Sequence, residues 1–148
     1  MMRIALSTDA DNNVYGYNPC SGSQFAIYEV FGTRHDIHYR FVQNCINPWE
    51  RCQGVMVKDP AMKSCTCDKT LLHDPQHIHD HYAILEAIGK CDYLIAKSYC
   101  INTFYALQNV GIKIHKIPPF LMSAEDAIKH FLIATDIAKD MQSIQNTL

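Results

Sequence analysis

The chain has 148 residues, 48% hydrophobic and 19% charged, with a net charge of −2 when its histidines are neutral. That composition fits one domain, residues 1–148, with a single buried core, and excludes a disordered chain or one with the basic surplus that nucleic acid requires. No apolar run approaches the roughly 18 residues of a membrane span, and "MMRIALSTDADNNV" lacks a signal-peptide pattern, so neither membrane nor nucleic acid is expected as a partner and a cytoplasmic protein is.

The first element is "RIALST", Arg3 to Thr8, an apolar run ended by the turn-rich "DADNN", which predicts a buried strand. "QFAIYEV", Gln24 to Val30, is β-rich, with Phe25 and Ile27 alternating against Ala26, Tyr28 and Val30. "FGTRHD" reads as a hairpin connection into "IHYRFVQN", where Ile37, Tyr39 and Phe41 alternate with His38, Arg40 and Val42.

Between Cys45 and about Asp74 no periodicity persists. The stretch "CINPWERCQGVMVKDPAMKSCTCDKT" holds two prolines, the only Trp and four of the seven cysteines. A loop this long inside a domain is either functional or disordered. It predicts a Cys/His-rich insertion at about residues 45–81, expected to act as a metal-responsive lid outside the core, with trypsin sites at Lys58, Lys63 and Lys69 as its reporters.

The second half changes period. "HYAILEAIGK" carries Tyr82, Leu85 and Ile88 at helical spacing and stops at Gly89. "DYLIAK" is a short apolar strand, "INTFYALQNVG" a helix closed by Gly111, and "IKIHKI" another strand. After "PPF", Ser123 caps a last helix whose first turn holds Glu125 and Asp126, where the dipole favours them. The order β-β-β-α-β-α-β-α predicts an α/β fold with a single mixed sheet of about five strands flanked by helices. The last helix has Ile128, Phe131, Thr135, Ala138 and Met141 near one stripe and Ile133, Ile137 and Ile144 on another, which predicts a homodimer.

Seven cysteines is an odd count with no secretory signal, so buried hydrophobes, metal ligands or reactive thiols are expected rather than structural disulfides. Cys91, beside a strand in "GKCDYLIAK", reads as a packing residue.

The run "MRIALSTDADNNVYG", then "FAIYEV", then "ILEAIGKCDYLIAKSYCINTFYALQNVGIKIHKI", then a loop into "SAEDAIKHFL" resembles the dinitrogenase iron–molybdenum cofactor binding family. The resemblance covers residues 2–44 and 82–133. It implies a ribonuclease H-like fold and a non-catalytic role in binding or carrying an iron–sulfur or iron–molybdenum cluster during nitrogenase cofactor biosynthesis. Cluster-donor or acceptor proteins would then be partners. The family commonly carries His-Phe-Gly before the second strand, with that histidine implicated in cluster binding. Here "NPC" puts Asn18 in the place of the histidine and Cys20 in that of the glycine. After the fourth strand a glycine-rich turn is usual, and this chain has "KSYC".

Those departures supply two thiols. Open α/β sheets bind ligands outside the carboxyl ends of parallel strands, where strand order switches. The loops after the first and fourth strands carry Cys20 and Cys100, which should therefore approach one crevice. Cys100 precedes the helix beginning near Ile101, whose N-terminus favours a thiolate, the form that ligates iron. Lys97 adds positive charge, and Ser98 and Tyr99 offer hydrogen bonds to cluster sulfurs or an anionic ligand. The other reading is two unrelated cysteines placed by packing.

In "SCTCDKTLLHDPQHIHDH", Asp74 and Pro75 form an N-cap and N1 pair. A helix starting there puts His77 and His81 at i and i+4 on one face, with His79 elsewhere. Cys65 and Cys67 would complete a metal set, although one intervening residue is shorter than the usual spacing of structural zinc cysteines. A solvated loop with titrating histidines explains the same residues. The functional readings are thus a non-catalytic binder of a metal cluster, a zinc protein using Cys65, Cys67 and the histidines, and a nuclease built on Asp9. The nuclease lacks second and third carboxylates.

Overall fold

The computed structural model describes residues 1–33, 36–48 and 70–147, without the side chains of Thr33, Leu71 and residues 137–147. Cys65, Cys67, Lys58, Lys63 and Lys69 lie outside the described residues.

Five strands and three helices form an α/β fold: β1 (Met2–Thr8), β2 (Gln24–Thr33), β3 (Asp36–Ile46), α1 (Pro75–Ile88), β4 (Tyr93–Ala96), α2 (Ile101–Gln108), β5 (Lys113–Lys116) and α3 (Ala124–Thr147). They make one mixed sheet in the order β3-β2-β1-β4-β5. β1 pairs antiparallel with β2 and parallel with β4, and β4 pairs parallel with β5. This order is compatible with the ribonuclease H-like arrangement. β1 is the point where the chain turns from building one side of the sheet to building the other, and the loops after β1 and β4 leave side by side.

Each sheet face has its own core because alternate side chains on a strand point to opposite sides. Ala5, Phe25, Ile27 and Leu94 pack with Ile84 and Ile88 of α1 and Leu107 of α2. Ile4, Leu6, Val30 and Ile95 pack on the other face with Ala127, Ile128 and Phe131 of α3. Cys91 is buried with the first group, as a packing residue should be. In α3 the stripe of Ile128 and Phe131 is fully buried, while Ile133 is 63% exposed.

The alternation in β3 does not give a buried face. Ile37 is 39% exposed and Phe41 53%, because β3 is the edge strand and the helices pack over the middle of the sheet. Gly32 closes the β2–β3 turn at φ +110°, where a Cβ would collide with the carbonyl oxygen of Asp36.

The ends of the expected insertion belong to regular structure. β3 runs through Cys45 to Ile46, and α1 starts at Pro75, with the Asp74 side chain accepting the Gln76 N–H at 3.1 Å. His77, Asp80 and His81 are buried on the inner side of α1. An ordered core helix therefore replaces the C-terminal part of the expected lid. Its apolar face, Ile84 and Ile88, carries the preceding turns down onto the sheet. Among the described residues no helix is long and apolar enough to cross a membrane.

Candidate functional site

The loop after β1 is shaped by its own polar side chains. Asp9 Oδ1 accepts the backbone N–H groups of Asp11 and Asn13 at 2.9 and 3.0 Å, which turns the chain back at the strand end. Further on, Asn18 caps a single 3-10 turn, Pro19–Ser21, and Ser21 donates to the Asn18 carbonyl through both its N–H and its hydroxyl. That turn carries Cys20, 1% exposed. Asn47, fully buried just after β3, donates from Nδ2 to the carbonyls of Cys20 and Gly22, each at 2.9 Å.

The loop after β4 delivers Cys100 as the N-cap of α2, with Sγ accepting the Thr103 N–H at 3.5 Å. The two sulfurs meet at Asn18. Its Nδ2 donates to Cys20 Sγ at 3.0 Å and to Cys100 Sγ at 3.1 Å. The Thr103 hydroxyl donates to Asn18 Oδ1 at 2.9 Å, which fixes the amide with its nitrogen toward the sulfurs.

His81 closes the site from α1. Its Nδ1 donates to the His77 carbonyl at 2.7 Å, so its hydrogen bonds to Cys100 and Cys20 fall to Nε2. Burial alone would push this imidazole down. The bonds to the two sulfurs, reinforced by the attraction of thiolate charge, outweigh burial and push it up to about 11. His77 lies alongside, ring centroids 4.5 Å apart, and is driven down by burial and by His81. The pair thus has split roles, His81 favouring its proton and His77 neutrality. Ser7 Oγ and Thr8 Oγ1, both fully buried at the end of β1, have no hydrogen-bond partner among the described residues.

The structure brings Asn18, Cys20, Cys100, His77 and His81 together. It places Lys97, Ser98 and Tyr99 on other partners. Lys97 Nζ reaches Met122 Sδ at 3.5 Å, Ser98 Oγ approaches the Gly16 carbonyl at 3.5 Å, and Tyr99 is 38% exposed and stacked on Phe104. Strand parity explains Lys97: it stands two residues after Ile95, whose side chain packs toward α3. His79 is exposed. The roles of Asn47 and Thr103 have almost no local signature in the sequence, whereas Asn18 is a candidate cofactor-binding residue by its place in the resemblance, and its amide is what reaches the sulfurs. The polar residue three places after Cys100 was the one available sign, since an N-cap and its N3 partner share that spacing.

Among the described residues no three His, Cys, Asp or Glu side chains form a ready cage for a metal ion. The donors of this site face one another through hydrogen bonds. As chemistry they still fit a soft metal: two cysteine sulfurs and an imidazole whose other nitrogen is oriented by a backbone carbonyl, as metal-bound histidines commonly are. A hollow of about 760 Å³, lined by Phe31, Tyr93, Lys113 and Phe131 among others, opens at the opposite end of the sheet, and among the described residues no cysteine or histidine lines it.

No family model matches the sequence, and no curated protein matches it. Among solved structures, the chain is similar to a Thermotoga protein, solved by NMR and described as a candidate NifB protein of the DUF35 family. Identity is 16%, the match covers 88% of this chain and 87% of that one, and the TM-score is 0.44.

Proposed function

We propose that the protein binds a soft metal centre, foremost an iron–sulfur-type cluster, through Cys20 and Cys100 with His81 as a third donor. It acts as a binder or carrier and not as a catalyst. One observation supports this reading above others: Asn18 and His81, from different elements, each hydrogen-bond the sulfurs of both cysteines. Thiolates are the ligands of iron–sulfur clusters, and amide or imidazole donors to sulfur tune such centres. The carboxyl-end crevice at the strand-order switch is where this class of sheet holds ligands. An iron–molybdenum-type cluster and a place in nitrogenase cofactor assembly follow from the sequence resemblance alone.

Zinc is the second reading, now moved from the insertion to this crevice. Two cysteines and one histidine make a three-ligand zinc set, and the bond from His81 Nδ1 to the His77 carbonyl is the orienting contact zinc-bound histidines commonly show.

Anaerobic reconstitution of the full chain with iron and sulfide, followed by iron, sulfide and zinc analysis, tests both. A cluster reading expects visible absorption and stoichiometric iron lost in Cys100→Ala and Cys20→Ala and reduced in His81→Gln. A zinc reading expects colourless protein with zinc lost in the same variants. Iron and zinc contents unchanged in all three variants would remove these residues from any metal site.

A further inference from the structure

We infer that Cys20 and Cys100 are also a reversible dithiol–disulfide pair, with Cys100 the attacking and Cys20 the resolving cysteine. The exchange rests on geometry alone, and only its consequence for metal holding rests on the metal reading.

The sulfurs share one amide donor, at 3.0 and 3.1 Å from Asn18 Nδ2, so their separation is at most the span of two hydrogen bonds. Both are thiols and not halves of a disulfide. Each sits at a turn, Cys20 in a single 3-10 turn and Cys100 at a helix cap, where its side chain swings without breaking a strand ladder. Disulfide bonding needs the sulfurs to close to about 2 Å with the Cβ atoms about 4 Å apart. The burial of the two side chains sets the order. Cys100 is 7% exposed and Cys20 1%, so a small reagent meets Cys100 first.

The oxidant is a low-molecular-weight disulfide, RSSR. The Cys100 thiolate attacks one sulfur of RSSR; the small S–S bond breaks, a Cys100–SR bond forms and RS⁻ leaves. The Cys20 thiolate then attacks Cys100 Sγ, forming the Cys20–Cys100 bond and expelling the second RS⁻. The protons of the two cysteines end on two RSH, and two electrons pass from protein to reagent. Once joined, the sulfurs have no thiolate to offer a metal, so oxidation empties the site.

The test uses the full metal-free chain, oxidised glutathione as RSSR, quenching by alkylation, and trypsin. Peptides Ile4–Arg34 and Ser98–Lys113 each contain one cysteine, Cys20 and Cys100 respectively. The expected product is these two peptides linked, with the link reversed by excess dithiol. Cys20→Ser should accumulate the glutathione adduct on Ser98–Lys113, whereas Cys100→Ser should leave Ile4–Arg34 alkylated and free of glutathione. Circular dichroism of both variants confirms that they fold. Recovery of both wild-type peptides unlinked would overturn the pair, and an adduct forming on Cys20 as fast as on Cys100 would overturn the assigned order. Zinc-loaded wild type should link at least tenfold more slowly. An unchanged rate with zinc demonstrably bound would overturn the gating while leaving the exchange in place, and failure to bind zinc would count only against the metal reading.

Discussion

Asn18 and Cys100 are 82 positions apart, and the Asn18 amide donates to the Cys100 sulfur at 3.1 Å. The same nitrogen reaches Cys20, and the Thr103 hydroxyl fills the amide oxygen. One small side chain therefore ties the loop after β1 to the cap of α2. Where the resemblance would put an imidazole, the chain has an amide that clamps two cysteine sulfurs.

Replacing Asn18 by Leu should be costly. It keeps the branched outline in a bulkier apolar side chain, removes the donor to both sulfurs and takes the oxygen acceptor from the buried Thr103 hydroxyl, leaving it the weaker sulfur of Cys100 at 3.4 Å. An unsatisfied buried group costs about 1–3 kcal/mol. Urea denaturation of the metal-free protein should show that loss as a lower midpoint with an unchanged slope. A midpoint equal to wild type would mean that the clamp contributes nothing to the fold.

The element order was legible from local pattern: short apolar or alternating runs for the strands, and helical spacing of apolar residues before, between and after β4 and β5. The meeting of Cys20 and Cys100 was legible too, since topology alone sends the loops after two adjacent parallel strands to one crevice. His81 was harder. Sequence distance groups it with Cys65 and Cys67, but Ile84 and Ile88, one and two turns on, anchor α1 to the sheet and bring His81 to the other cysteines. Lys97 stands two residues after Ile95, whose side chain packs toward α3, and its Nζ reaches Met122 Sδ, a placement that depends on the strand register and not on closeness to Cys100 in sequence. The hydrogen bonds of Asn47 to the Cys20 and Gly22 carbonyls depend on how β3 ends beside the 3-10 turn, and no local pattern encodes that.

On the opposite face, His115 of β5 faces His130 of α3 with ring centroids 6.1 Å apart, and His115 Nε2 is buried without a partner among the described residues. Burial, then the neighbouring His130, lowers His115 from its ordinary 6.5. The unfolded chain therefore takes up this proton first as pH falls. The stability linked to His115 is present above pH 6.5 and is lost as pH drops through the lower folded value. Thermal melts from pH 7.5 to 5 should fall less steeply for His115→Gln than for wild type. Parallel slopes would show that this histidine does not carry the acid limb.

Phe131 is the keystone of the α3 face. It is fully buried, with edge contacts to Tyr93 at 4.9 Å and His115 at 5.0 Å. Phe131→Ala removes that ring where sheet and helix meet, and a large cavity there should cost about 3–5 kcal/mol. Phe131→Leu should cost less, because it refills most of the volume. Chemical denaturation measures both, and equal losses would mean that the ring's shape matters and its volume does not.

Asn47 offers the sharpest separation of site from scaffold. Its side chain holds the turn that carries Cys20 by two bonds of 2.9 Å to the Cys20 and Gly22 carbonyls, while its own N–H donates to the Ser23 carbonyl at 3.0 Å. Asn47→Ala keeps the backbone bond and removes the two side-chain bonds, so β3 stays paired while the 3-10 turn loses its outside support. If Cys20 is a metal ligand, its position depends on that support, and outer-shell losses of this kind weaken metal binding about 10–100-fold. Zinc titration of anaerobic, reduced Asn47→Ala against wild type should show that loss. Asn47→Asp should show it as well, because a carboxylate cannot donate to the two carbonyls. A merely structural role would lower the urea midpoint and leave zinc affinity of the folded protein untouched, and that outcome would detach Asn47 from the site.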